Sequence, residues 1–216
     1  MTTPRPLPRL MHAAAVAAAL TVVAVSSAIA QTPGAAASAP ARTIVRGVVT
    51  QVKPDALVLK GRDGKPVTVA LADKWTAAVL KPIAATAIQP GSFIGTAEIP
   101  QADGVGRSLE VHVFPPGVKM GEGHYAWDLK PGSMMTNGTV GKVVASSKGR
   151  ELDVSYPTGT RHIVVPPRVP IVQITPGERS LIKPGVSVFM IAVPSPSGGL
   201  IANSVSTGEN GAPPPM

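Results

Sequence analysis

Arg46-Gly47-Val48-Val49-Thr50-Gln51-Val52 and Asn137-Gly138-Thr139-Val140-Gly141-Lys142-Val143 are the two stretches on which the fold turns. Each opens a series of landmarks that recurs in the same order. The first leads to Ala56-Leu57-Val58-Leu59, a turn at Arg62-Asp63-Gly64, and the answering run Val67-Thr68-Val69-Ala70-Leu71. The second leads to Leu152-Asp153-Val154, a turn at Thr158-Gly159, and His162-Ile163-Val164-Val165. Asp-Gly and Thr-Gly between apolar runs are hairpin chemistry, because Gly reaches positive φ at little cost. A proline-broken stretch follows in each copy. Pro90-Gly91 then launches Ser92-Phe93-Ile94-Gly95, and Pro184-Gly185 launches Val186-Ser187-Val188-Phe189. Each copy closes on a last strand, at residues 109–113 and 200–205. Gly47 and Gly138 stand 91 positions apart, and Pro90 and Pro184 stand 94 apart. Ordered landmarks at nearly constant spacing predict an internal duplication.

Five short strands with a broken middle in about 70 residues suit a small OB-like barrel. The expected fold is therefore all-β: two tandem small OB-like β-barrels, over residues 43–114 and 137–207. Alternation supports half-buried strands, with Leu57 and Leu59 facing one way and Val67, Val69 and Leu71 answering them. Closing each sheet also hides its edges.

The first thirty residues read as an export signal. Arg5 and Arg9 form a positive start, residues 11–25 an apolar run, and Ala28-Ile29-Ala30 a cleavage site, so Gln31 begins the mature chain. The apolar run is short for a membrane anchor, and no later stretch reads as a span. Residues 31–42 are a low-complexity linker expected to be disordered, and residues 208–216 a loose tail. There is no cysteine, which removes disulfides, thiolate metal sites and a cysteine nucleophile. Cleavage takes two of 20 Lys+Arg and none of 12 Asp+Glu, leaving a net +6. That charge is dispersed; it aids solubility and weakly favours anionic envelope partners. The expected location is the periplasm or the exterior.

The connector, residues 115–136, is the unusual segment. It carries Tyr125 and Trp127, two of only seven aromatic residues in the chain. Large rings in a Gly/Pro-rich loop need somewhere to be buried. Trp127 is expected in the groove between the barrels, Asp128 on backbone N–H groups before Pro131-Gly132, and His124 at the rim. His124, Tyr125, Trp127 and Asp128 are thus the candidate ligand-binding residues.

The string Gly121-Glu122-Gly123-His124-x-x-Trp127-Asp128-Leu129-x-Pro131-Gly132-Ser133-x-Met135-Thr136-Asn137 resembles a group of exported proteins of alphaproteobacterial type. The flanking repeats are similar to an exported OB-like domain family of unknown function. The resemblance spans most of residues 43–207 and is strongest in the connector. It implies export and OB-like barrels, and it brings no catalytic residues. Some members carry the label of a metal ABC transporter permease, which would need several membrane spans that this sequence does not offer.

Other chemistries are weaker. His112, His124, Met120, Met134 and Met135 lie close in sequence, beside Glu122 and Asp128, and imidazole with thioether suits copper or another transition metal outside the cytoplasm. There is no H-x-H or H-x-x-x-H pair, and methionines also fill core gaps. Ser180-Leu181-Ile182-Lys183 matches S-x-x-K without its partner signatures. Glu122 and Asp128 have no fixed geometry in a Gly-rich loop. Trp75, Phe93, Phe114, Tyr156 and Phe189 are scattered and patterned as core rather than as a stacking platform, and export argues against a nucleic-acid partner. The sequence reads best as an exported non-enzymatic binding or scaffold protein with no cofactor, meeting an envelope ligand or protein. A copper-type metal handler is the alternative.

Overall fold

The computed structural model describes residues 41–216. The expected signal peptide, residues 1–30, and nearly all of the expected linker, residues 31–42, lie outside them. The described strands, in chain order, are β1 (Thr43–Val52), β2 (Ala56–Gly61), β3 (Pro66–Pro82), β4 (Phe93–Pro100), β5 (Gly106–Val113), β6 (Gly123–Ala126), β7 (Met134–Ser146), β8 (Gly149–Tyr156), β9 (Gly159–Val165), β10 (Ile171–Gly177), β11 (Ser187–Pro194) and β12 (Leu200–Gly208). Only three short 3-10 turns join them, so the fold is all-β. No described helix is long and apolar enough to cross a membrane.

Strand pairing closes two barrels. β1 pairs with β2, β2 with β3, β3 with β12, β12 with β11, and β11 returns to β1. β7 pairs with β8, β8 with β9, β9 with β5, β5 with β4, and β4 returns to β7. The barrel class is as expected, but the division of the chain is not. Residues 43–114 and 137–207 do not each close a barrel of their own. Each barrel takes three strands from one half and two from the other: β4 and β5 complete the second barrel, and β11 and β12 the first. The reason lies in β3, which is 17 residues long. Its far end pairs with β10, and β10 pairs with β5 of the second barrel. The chain leaving Pro82 is therefore already beside the second barrel when β4 begins. Hairpin and alternation patterns are local and identical in both arrangements, so they do not choose between them.

The pairing repeats along the chain. Gly47 opposes Val188 as Gly138 opposes Ile94. β1 and β7 carry the same bulge, between Val49 and Gln51 and between Val140 and Lys142. The parallel pair Leu200–Val69 has its counterpart in Gly106–Ile163. The motif glycines are required sterically: a Cβ on Gly47 would overlap the Lys60 carbonyl, and one on Gly138 the Ser155 carbonyl.

Each barrel has its own apolar core. Leu57, Leu59, Val69, Val188 and Met190 belong to the first, and Ile94, Val111, Leu152, Val154 and Ile163 to the second. A third, smaller cluster lies at the seam, where Leu80, Val172, Phe189 and Met216 meet, with Ile44, Trp127 and Ile174 packed against them. This corrects the expected loose tail. A turn at Glu209–Gly211, with Asn210 and Gly211 at φ 57° and 78°, reverses the chain, and Met216 ends 4% exposed. An apolar side chain with a seam to enter ties down a terminus that composition alone would leave free.

Candidate functional site

The connector folds as a short hairpin. β6 pairs with β7, placing His124 opposite Thr136 and Tyr125 opposite Met135. Successive residues of a strand point to opposite faces. The expected site is therefore split: Tyr125 and Trp127 face the seam, while His124 faces Thr136 and Glu98 at one end of the second barrel.

On the seam side, Gly95 stands between His112 and Asn137 in the strand register. A Cβ on Gly95 would overlap both side chains, so glycine opens the space they fill. Asn137 Nδ2 donates to the Gly121 carbonyl at 3.0 Å and to the Tyr125 hydroxyl at 2.9 Å. Burial pushes the Tyr125 phenol above its ordinary value, and the Arg42 charge opposes that shift. His112 Nδ1 lies 3.0 Å from Glu110 Oε2, and Glu110 Oε1 accepts the Ala97 N–H at 2.7 Å, where the β4–β5 register slips. The Asn137 bonds fasten the connector to the sheet, and the Glu110 contacts hold β4 to β5.

Trp127 packs against Phe189 and Tyr125, with ring centroids 6.3 Å away in each case. The Arg46 guanidinium lies 5.7 Å from the Trp127 centroid and 5.3 Å from that of Phe189. Trp127 is thus at the inter-barrel groove, as its sequence context suggested. Asp128 differs from expectation: its carboxylate takes Arg46 Nη1 at 2.7 Å rather than backbone N–H groups. The backbone N–H of Trp127 and the Ser133 hydroxyl close the hairpin instead, on the carbonyls of Ser133 and Trp127 respectively. A buried guanidinium is the stronger claimant for a nearby carboxylate.

One end of the second barrel carries a buried polar layer. Glu98 is fully buried, and a Cβ on Gly106 would overlap its carboxylate. Arg161 Nε donates to Glu98 Oε1 at 2.7 Å, and Arg161 Nη1 holds the Gly104 carbonyl at 2.8 Å. His124 Nδ1 lies 2.8 Å from the Thr136 hydroxyl and 3.8 Å from Glu98 Oε1. Its ring stacks on Tyr156 at 6.1 Å. Thr96 and Ser108 share a hydrogen bond at 2.8 Å in the same buried layer. Burial raises Glu98 above the carboxylate norm, with the Arg161 hydrogen bond and charge pulling the other way. Burial lowers His124, and the Arg161 charge adds to that. Neutral imidazole beside a guanidinium–carboxylate pair can both donate and accept hydrogen bonds.

The residues considered for a metal are divided between the faces. His112 and His124 stand three strand spacings apart, about 14 Å, on opposite sides of the sheet. Met135 is buried beside Ala97 on the seam face, Met120 is 60% exposed in the loop before β6, and Met134 is paired with Ala126 on the face of His124. Among the described residues, no group of three or more His, Cys, Asp or Glu side chains is placed to hold a metal ion. Glu98, Arg161 and Arg46 were missed from sequence. Aligning the two halves could have found the first two, because Glu98 falls opposite Ala192 and Arg161 opposite Val67. Comparison with family models, curated proteins and solved structures finds no match.

Proposed function

We propose that this chain is an exported, non-enzymatic binding protein of the periplasm or cell exterior, and that it binds its ligand at the polar mouth of the second barrel. One observation carries the reading: the same layer of the first barrel is apolar. Val45, Met190, Ala192, Ala202 and Val67 stand where the second barrel has Thr136, Thr96, Glu98, Ser108 and Arg161. The scaffold therefore closes without charges, and a buried ion pair adds little or nothing to stability over apolar packing. What the polar set supplies is orientation. Glu98 fixes Arg161, Thr136 fixes His124, and His124 with Tyr156 presents an aromatic, hydrogen-bonding rim.

An internal repeat belongs to the same proposal, supported by the recurring registers and the paired glycines. One barrel kept an apolar layer, while the other, closed by strands of both copies, gained a polar one. The export signal read at residues 1–30 supports the location.

The test is a thermal-shift screen of the exported protein against oligosaccharides, short peptides and copper(I), the last because Met134 shares the His124 face. A binder that stabilises the wild type should lose its effect on His124→Ala, whose own melting temperature changes little. Equal stabilisation of both proteins by every binder would place the site elsewhere.

A further inference from the structure

We propose that the seam between the barrels is a docking groove for a proline-rich peptide carrying a bulky apolar residue, held shut by the chain's own residues 212–216. This is a different surface from the polar mouth, and it stands whether or not the mouth binds a ligand.

The groove is built from the first barrel, the bridging strand β10 and the connector. Arg46 comes from β1, Phe189 from β11, Leu80 from β3, Val172 from β10, and Trp127 from the connector hairpin. Its present occupant is Ala212-Pro213-Pro214-Pro215-Met216. Pro214 and Pro215 are half-buried and the Met216 side chain fills the apolar floor. Arg46 Nε donates to a backbone oxygen of Met216 at 2.7 Å. An aromatic wall, a proline run and one polar clasp are the elements by which proline-rich segments are recognised, because the extended proline helix is preformed and loses little entropy on docking.

Two features make this a site rather than a mere packing contact. First, its donors are not used up. The Arg46 side chain is only 8% exposed, yet its Nη2 has no protein partner, and neither has the buried Nε1 of Trp127. Buried N–H donors are costly when unpaired, so the groove offers two hydrogen bonds that its occupant leaves unmade. Second, the occupant is lightly held. Prolines carry no N–H, and the Arg46 contact is the one hydrogen bond described from residues 213–216 to the rest of the chain. The turn at Glu209–Gly211 anchors the segment behind it through the Gly208 N–H to Ala212 carbonyl bond at 3.0 Å. The tail can therefore leave while β12 stays paired. A partner segment of the same chemistry, with carbonyl oxygens set to meet both free donors, would displace it.

The experiment uses the full mature chain with Trp75→Phe, so that Trp127 is the sole indole. Met216→Ser should shift Trp127 emission to the red and raise its quenching by iodide. Synthetic Gly-Ala-Pro-Pro-Pro-Met should then reverse both changes saturably, binding the Met216→Ser chain at least about 10-fold more tightly than the intact chain. Adding Arg46→Ala should abolish that binding. Unchanged emission in Met216→Ser, or failure of millimolar peptide to reverse the change, overturns the proposal. If Met216→Ser loses its β-sheet circular dichroism, the peptide is titrated into the intact chain instead. A saturable response lost in Arg46→Ala supports the groove, and no response up to millimolar peptide overturns it. Comparing peptide carboxylate with peptide amide shows whether the clasp reads a terminal oxygen or a backbone carbonyl.

Discussion

The two barrels share a strand order, a bulge, a glycine under a carbonyl and a parallel closing pair, yet differ in the layer at one end. In the first barrel that layer is Val45, Met190, Ala192 and Ala202, and it seals. In the second it is Thr136, Thr96, Glu98 and Ser108, clasped by Arg161 and overlooked by His124. The difference teaches that the backbone does not need the polar layer. Taking charges out of water costs several kcal/mol per ion, and only good geometry repays it. A charge layer in one barrel of an otherwise matched pair is best understood as serving something other than closure.

The largest effect expected from breaking this contrast is in Arg161→Ala. It leaves Glu98 buried beside no cation and should cost about 3–5 kcal/mol of stability, read by urea denaturation. Exchanging the pair for its counterparts, Glu98→Ala with Arg161→Val, should instead be nearly neutral. A large loss in the double variant would mean that the second barrel depends on its charges after all.

The next prediction concerns what the barrels share. Gly47→Ala and Gly138→Ala should each cost about 3 kcal/mol, because each new methyl group meets a backbone carbonyl that cannot swing away. Equal losses would sharpen the equivalence; a tolerant site in one barrel would break it.

Trp127→Ala tests the seam that joins them. The indole packs on Phe189 and Arg46, so its removal should cost about 2 kcal/mol and lower the melting temperature. If stability is unchanged, the connector is a tether and not a clamp.

The smallest effect is in pH dependence. Folded Glu98 holds its proton more tightly than a carboxylate with the ordinary value of 4.5, so its contribution is full below that value and is lost as pH rises through its raised pKa. His124 runs the other way. Its contribution is full above 6.5 and is lost as pH falls through its lowered pKa. Acidification from neutrality should therefore destabilise Glu98→Gln more than the wild type, and His124→Asn less. The first barrel has no matching pair in that layer, so His124→Asn/Glu98→Gln should flatten both trends.

Much of this was legible in the sequence. Alternation, Gly-centred turns and the recurring Pro-Gly gave the strands, since side-chain period and positive φ are properties of a few adjacent residues. Trp127 in a glycine-rich loop announced a ring in need of cover, and it packs half-buried on Phe189 and Arg46. The tail misled, because Gly-Ala-Pro-Pro-Pro-Met carries a single apolar anchor whose receptor is assembled from β1, β3, β10 and β11. The paired reading of His124 with Tyr125 and Trp127 failed once the segment became a strand, which sends neighbours to opposite faces.

By itself the sequence determined the all-β class, the repeated strand order and the glycines that the close approaches demand, because those follow from local geometry. Only the tertiary structure decided which half closes which barrel, which acid meets Arg161, and where Asp128 and Met216 come to rest. Those outcomes depend on the long β3 carrying the chain across to β10, and on Arg46 holding at once two groups that lie 82 and 170 residues away in sequence. No local pattern encodes such long-range partners; burial and proximity in the closed fold do.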